Sequence, residues 1–145
     1  MSFLQSLNIS GSGLTAQKFR MDIIAENIAN IDTTRTEAGG PYRRKMIVLS
    51  STGSNNFKNM LINNLDEHKV GGVEVSDIVE DQSEFKLVYN PEHPDADENG
   101  YVNMPNVDSL KETVDMMEAY RAYQANVTAL NTMKQMASKA LEIGR

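Results

Sequence analysis

Residues 95–100 read Asp-Ala-Asp-Glu-Asn-Gly, which places oxygen-bearing side chains at alternate positions before a glycine. The same order opens an EF-hand loop, where such oxygens bind Ca²⁺. The rest of the loop does not fit, because Asn106 stands where a bidentate glutamate is needed, and Pro91 and Pro94 oppose the entering helix. The pattern therefore leaves two interpretations open, a calcium site or a structural turn rich in Asp and Asn.

Other residue types that could do chemistry are few. The chain has two histidines, His68 and His93, and no cysteine, so disulfides, thiol catalysis and Cys-based metal sites are excluded. Two histidines in polar, loop-like settings make a poor ligand set. No serine stands in a strand–turn–helix frame, and no glycine-rich stretch has the spacing of a phosphate loop. We therefore expect no catalytic, metal-binding or cofactor-binding residue.

Charge and hydropathy exclude further classes. The formal net charge is −6, and the basic residues cluster only at 43–45, which is too short a patch for a nucleic-acid backbone. No apolar run approaches the ~20 residues that a membrane-spanning helix needs. The first residues, MSFLQSLNISGSGLTAQ, lack a positive region followed by an apolar run, so we expect no cleavable signal peptide.

Two asparagines stand out in the stretch IIAENIANIDTT, residues 23–34. Asn27 and Asn30 lie one turn apart inside a run of Ile and Ala, although Asn is a mediocre helix former. Their amides could fix the register of two packed helices, at some cost in stability. They could equally bind the free carbonyls of a helix that ends there. The sequence does not choose between the two roles.

The helix that carries these asparagines is amphipathic. Leu7, Leu14, Met21 and Ile28 recur every seven residues, which is typical of a coiled coil. Gly11 and Gly13 weaken the pattern. We predict a helix from Leu14 to Ala29, frayed before Leu14.

A second, longer helix is predicted at the other end. Residues 107–143 contain no Pro or Gly, and the start signals are Asn106 as cap or Ser109 with Glu112 as a capping box. Apolar residues follow a four–three spacing along one face, with another apolar line on the neighbouring face. The members of the first line are Met116, Tyr120, Val127, Leu130, Ala137 and Leu141, with Tyr123 between them.

The central part reads as loops and short strands. Strands are predicted at 42–50, 73–79 and 85–89, and a short helix at 57–65. The expected fold class is α+β: terminal helices pair as a coiled-coil-like layer beside a small β-rich segment. We divide the chain into an N-terminal helix (1–35), a central segment (36–105) and a C-terminal helix (106–145).

The apolar surface of the long helix exceeds what a single partner helix can cover. Pairing with the shorter helix hides one side, so the second apolar line implies contacts with other molecules. Assembly through helical ends is the interpretation that this surplus favours. A long two-helix hairpin within a monomer is the alternative.

Three stretches resemble a known family. Asn27-Ile28-Ala29-Asn30, followed by Asp32 and Thr33, resembles the N-terminal signature of the flagellar rod, hook and hook-associated axial proteins. Residues 85–108 and 114–145 resemble the FlgC-type proximal rod proteins more specifically. The likeness covers nearly the whole chain apart from residues 50–70.

The resemblance implies a structural subunit of the flagellar basal-body rod, which transmits torque and is not an enzyme. The implied partners are copies of itself, rod proteins of the FlgB, FlgF and FlgG types, FliE-type and inner-membrane-ring proteins, and the flagellar type III export apparatus. It places the chain on the periplasmic side of the inner membrane, exported without a cleavable signal. It also implies that the terminal segments become ordered only on assembly.

Two rival functions remain at the level of sequence. A cytoplasmic coiled-coil adaptor would account for the helices, but not for the matched stretch 85–108. A calcium-regulated enzyme or sensor would require the acidic loop at 95–100 to bind metal.

Overall fold

The computed structural model describes residues 3–37, 39–52 and 71–143. In chain order, the elements are α1 (Phe3–Ala29), β1 (Lys45–Ser51), β2 (Val73–Glu80), β3 (Lys86–Tyr89), β4 (Tyr101–Met104) and α2 (Ser109–Ile143). The prediction of an α+β fold, with a long helix at each end and a small central β-rich part, is confirmed. Within the described ranges, neither helix combines the length and apolar character that crossing a membrane requires.

The first helix is longer than predicted. It begins at Phe3 and continues through both glycines instead of fraying before Leu14. A Cβ on Gly13 would lie 3.1 Å from the Asn126 amide nitrogen of α2, so the missing side chain allows α2 to approach closely. Gly13 therefore reflects helix packing, whereas a Cβ on Gly11 would meet nothing within 4 Å. The sequence pattern alone could not distinguish this packing from a break in the helix.

The second helix starts with a different cap from the two that the sequence offered. Asp108 accepts hydrogen bonds from the backbone N–H of Leu110 through its side chain (2.9 Å) and from that of Glu112 through its carbonyl (2.9 Å). Asp108 is therefore the N-cap, not Asn106 or Ser109. The helix then runs for 35 residues, which is roughly 52 Å at 1.5 Å per residue.

Two small sheets lie between the helices in the chain. The strands β1 and β2 pair with each other. At one end of the pair Thr52 N donates to the Gly72 carbonyl, and at the other Asp81 N donates to the Arg44 carbonyl. These two hydrogen bonds show that the strands are antiparallel. β1 begins at Lys45 and not at the predicted Tyr42, and β2 extends to Glu80. The predicted helix at 57–65 lies outside the described residues.

The second sheet is the antiparallel hairpin β3–β4, in which Lys86 pairs with Met104 and Tyr89 with Tyr101. β4 is not predictable from the sequence, because only four residues separate Gly100 from Pro105 and their apolar pattern is too short to be recognised. Gly100 has a φ of 80°, and a Cβ there would lie 2.9 Å from the Tyr89 ring. Glycine is therefore required at this turn.

The chain divides into two compact units that do not follow the order of the sequence. Of the described residues, those within 1–19, 48–77 and 119–145 form one unit, and those within 20–47 and 78–118 form the other. In the first unit, the Ser12 hydroxyl accepts a hydrogen bond from Val73 N (3.0 Å) and joins α1 to β2. Ala16 and Ala119 are its buried apolar side chains among those described.

The second unit holds most of the buried residues. Its apolar core consists of Ile23, Ile24, Tyr42, Val102 and Val107. Two polar side chains, Asn27 and Glu112, are buried with them. Burial of polar groups is costly unless they are hydrogen-bonded, so these two residues call for an explanation.

Candidate functional site

Asn27 uses its whole hydrogen-bonding capacity. Its amide nitrogen donates to the Lys45 carbonyl (2.9 Å) and to Glu112 Oε2 (3.0 Å). Its amide oxygen accepts from Lys45 N and from the Tyr42 hydroxyl, both at 2.9 Å. The side chain pairs with the N–H and C=O of Lys45 as a neighbouring strand would, and it is 1 % exposed. One amide thus joins α1, β1 and α2 within the second unit.

Glu112 is the matching buried group on α2. It is 0 % exposed, and its other carboxylate oxygen accepts a 2.6 Å hydrogen bond from Arg44 Nε. Arg44 also reaches Asp115 (3.1 Å), and Asp115 lies 3.8 Å from Arg20 of α1. A carboxylate can be buried here because both of its oxygens are hydrogen-bonded and a guanidinium neutralises its charge. We call Asn27, Tyr42, Arg44 and Glu112 the polar cluster.

Tyr42 contributes a hydroxyl group to the polar cluster. Burial raises the pKa of Tyr42 to about 12, and the nearby carboxylates of Glu26, Glu112 and Glu80 act in the same direction. The hydroxyl therefore stays protonated and keeps donating to Asn27 over the whole neutral range. The polar cluster needs the Tyr42 hydroxyl as a hydrogen-bond donor to Asn27.

Asn106 holds the start of β1 against the end of β2. Its amide oxygen accepts from Arg44 N (2.8 Å), while its amide nitrogen donates to the Asp81 carbonyl (3.0 Å) and to Ser83 Oγ (2.9 Å). Backbone and side-chain hydrogen bonds from Ser83 lower the pKa of Asp81. These contacts position Arg44, so Asn106 supports the polar cluster and does not cap α2.

Asn27 and Asn30, the two asparagines that stand out in the sequence, therefore have different roles in the structure. The Asn30 amide nitrogen donates to the Glu26 carbonyl (2.9 Å) of its own helix, and its oxygen accepts from Thr33 Oγ1 (3.2 Å). Its contacts thus stay within the last turn of α1 and the residues that follow. Asn27 instead makes all its side-chain bonds to other elements.

The remaining residues that the sequence singled out for assembly lie at different depths. Tyr120 and Leu141 are 52 % and 78 % exposed, so they point away from the packed side of α2. The others are half-buried: Leu7, Leu14, Met21, Ile28, Met116, Tyr123, Val127, Leu130 and Ala137.

The packed side of α2 follows a line that differs from the apolar line read from the sequence. Buried or half-buried side chains recur at alternating steps of four and three, which is the coiled-coil spacing. This line comprises Glu112, Met116, Ala119, Tyr123, Asn126, Leu130, Met133 and Ala137. A search for apolar periodicity does not detect this line, because two of its members, Glu112 and Asn126, are polar. The signal in the sequence that could have revealed it is a charged residue, Glu112, at a position of the heptad spacing.

The acidic loop forms a tight turn in the second unit. Asp97 Oδ1 accepts hydrogen bonds from Asn99 N (2.9 Å) and Tyr101 N (2.8 Å), and the Asp97 N–H donates to the Tyr101 carbonyl. This is an Asx-type turn that leads into β4. In the part of the chain that the structure describes, no three His, Asp or Glu side chains are grouped so that they could hold a metal ion.

Comparison with known proteins gives matches over both helices and over the full length. The family described as "Flagella basal body rod protein" matches residues 7–35. The family described as "Flagellar basal body rod FlgEFG protein C-terminal" matches residues 98–143. The first match contains Asn27 and the second contains Glu112.

Whole-chain relatives are similar throughout. The flagellar basal-body rod protein FlgC of Bacillus subtilis is 50 % identical, with 100 % of both chains covered. The FlgC protein of Borreliella burgdorferi is 44 % identical over 99 % of this chain and 98 % of its own. The FlgC protein of Escherichia coli O157:H7 is 43 % identical, again with 100 % of both chains covered.

Proposed function

The chain belongs to the FlgC family of flagellar basal-body rod proteins, and we propose that it helps to build the proximal rod through its two terminal helices. The observation that carries this proposal is full-length similarity to rod proteins, at 39–50 % identity among the relatives compared. The relatives are flagellar basal-body rod proteins. We propose that this chain likewise bears load, transmits torque and catalyses no reaction.

The distribution of apolar residues on α2 supports assembly. One face of the helix packs within the chain, yet Tyr120, Met136 and Leu141 are more than half exposed elsewhere on it. Exposed apolar groups of this size on a helix mark contact sites for other molecules. In the proposal, these residues contact neighbouring rod subunits, while the heptad residues of α1 pack towards α2.

The polar cluster gives the paired helices a fixed register. An apolar seam alone tolerates sliding by a turn, whereas the Asn27–Glu112 bond fits in a single register. A rod that transmits torque must resist sliding of its helices past one another, so a contact that fixes their register is mechanically useful. We propose this role for Asn27 and assign Asn30 to the end of α1.

The partners in this proposal are other copies of the chain, rod proteins of the FlgB, FlgF and FlgG types, FliE-type proteins and the inner-membrane ring. The site of assembly is the basal body, and we propose the periplasmic side of the inner membrane as the position. Export would proceed through the flagellar type III apparatus. The absence of cysteine suits a chain that must be threaded in an unfolded state.

We further propose that the start of α1 becomes ordered on assembly, whereas its end is already held within one chain. Of the side chains described in residues 3–19, Ala16 alone is buried. In contrast, Ile23, Ile24 and Asn27 are all buried in the last third of the helix. A helical segment without packing is marginal in water, because helix formation alone contributes little stability.

Hydrogen exchange of the dilute purified chain tests this division. Amides of residues 3–19 are expected to exchange at least about tenfold faster than those of residues 20–29, because local opening of the first stretch disrupts little packing. Peptides from the same chain in isolated basal bodies serve as the matched control and should be protected throughout. Equal, strong protection of both stretches in a monodisperse monomer would contradict ordering on assembly.

A further inference from the structure

The hairpin β3–β4 has one face on which the apolar side chains are largely exposed. Side chains alternate between the faces of a strand, so Leu87, Tyr89, Tyr101 and Asn103 share one face, and Val102 lies on the other. Val102 is buried, whereas Leu87 and Tyr89 are 67 % and 65 % exposed. The Tyr89 and Tyr101 rings meet edge to face at 5.3 Å and form a preformed aromatic surface. We call Leu87, Tyr89 and Tyr101 the hairpin face.

The first turns of α2 carry a second exposed apolar surface. Leu110, Val114 and Met117 follow an i, i+4, i+7 spacing, so they form one stripe. At 100° per residue, this stripe lies on the side of the helix opposite Glu112. Leu110 is 76 % exposed, and Val114 and Met117 are also exposed. We call these three residues the outer stripe.

The two surfaces carry opposite charges at their edges. Glu92, Asp97 and Glu98 lie in the turn that joins the strands of the hairpin, and all three are exposed. Lys111 lies beside the outer stripe, and Arg121 continues the stripe one turn beyond Met117. Both are exposed and form no ion pair with any residue that the structure describes. Glu118 lies on the same side of the stripe as Lys111, so Lys111, Glu118 and Arg121 together carry one net positive charge. An acidic aromatic face and a basic aliphatic stripe are therefore complementary.

We propose that the hairpin face of one copy docks on the outer stripe of a second copy of this chain. The inference rests on the proposed function, since it names a contact that the assembling rod would use. Aromatic and aliphatic groups form the centre of the contact, and the acidic turn meets Lys111 and Arg121 at its edge.

The kind of contact follows from the two surfaces being different. A surface that binds a different surface of the next copy gives a heterologous contact, which propagates from copy to copy and does not end at a dimer. Two four-residue strands and three residues of a helix also bury less than the ~1,600 Å² of a standard stable interface. The contact is therefore weak in a pair of free chains and forms where other rod contacts already hold the copies together.

Cysteine cross-linking in assembled basal bodies tests the contact directly, because the natural chain has no cysteine. Cells produce two single variants together, Leu87→Cys and Val114→Cys, and basal bodies are isolated and oxidised. A dimer of this chain is expected only when both variants are present. Thr128→Cys, an exposed position about 21 Å further along α2 than Val114, replaces Val114→Cys in the control and should give at least about tenfold less dimer.

Each other outcome overturns the inference in a recognisable way. If both variants are found in basal bodies but give no dimer, the contact is wrong while the proposed function stands. A dimer from either variant alone would show a symmetric contact, and a product with a protein of another mass would assign the surface to a different partner. If the natural chain is absent from basal bodies, the proposed function fails and the contact fails with it.

Charge reversal gives a second measurement that does not depend on cross-linking chemistry. Glu98→Lys and Arg121→Glu are each expected to lower incorporation into basal bodies several-fold, because each places like charges at the edge of the contact. The two changes in one chain should restore incorporation to within about twofold. Additive losses in the double variant would show that the two edges do not meet and would overturn the inference.

Discussion

The Glu112→Ala variant is expected to lose about 3–5 kcal/mol of unfolding free energy, the usual cost of removing one partner of a buried ion pair. The carboxylate is 0 % exposed, and it accepts hydrogen bonds from Arg44 Nε and the Asn27 amide. Its removal leaves the Arg44 guanidinium, whose side chain is 11 % exposed, without its closest counter-charge. Asp115, 3.1 Å from the Arg44 guanidinium, offsets only part of this loss, because Arg44 Nε and the Asn27 amide lose their acceptor in a buried place.

Urea unfolding of the purified chain, followed by circular dichroism, measures this loss. Glu118→Ala is the matched control, since it removes the same group from the same helix at an exposed position. We expect the control to change stability by no more than about 0.5 kcal/mol. If the two variants were equally stable, Glu112 would not be held in the cluster as the structure describes.

The Asn27→Ala variant is expected to cost roughly 3 kcal/mol or more, whereas Asn30→Ala should cost about 1 kcal/mol or less. Asn27 makes four side-chain hydrogen bonds to described residues outside α1. Alanine there leaves the Lys45 N–H and C=O and the Tyr42 hydroxyl without this partner in a buried place. Asn30 bonds only to Glu26 and Thr33 among the described residues, where water can replace it.

The same unfolding measurement separates the two asparagines, and incorporation into basal bodies provides a functional readout. We expect loss of incorporation in Asn27→Ala cells and near-normal incorporation in Asn30→Ala cells. A reversed order of the two effects would show that the end of α1, and not the polar cluster, sets the register of the helices.

The regular features of the fold could be predicted from the sequence. Heptad spacing predicted α1, the long stretch without Pro or Gly predicted α2, and short apolar alternations predicted β2 and β3. The errors fell on boundaries set by tertiary contacts. Gly13 suggested fraying, yet it lies against Asn126, and β4 is recognisable only through its pairing with β3.

The polar cluster could be predicted only in part. The sequence indicated that Asn27 needed an explanation, because an amide inside an apolar helix face is unusual. It could not indicate Tyr42, Lys45 or Glu112 as its partners, since these residues lie 15, 18 and 85 positions further along the chain. Glu112 looked like half of a capping box, whereas its carboxylate binds Arg44 and Asn27 and the cap is Asp108.

A density map of the intact basal body, with this chain traced in it, would show both the position of the chain and the pairing of its helices. We expect the chain in the proximal rod, with α1 and α2 antiparallel, Asn27 bonded to Glu112, and the exposed side of α2 covered by neighbouring subunits. A chain found outside the rod, or a rod in which these helices are separated and Asn27 faces no partner, would contradict this expectation.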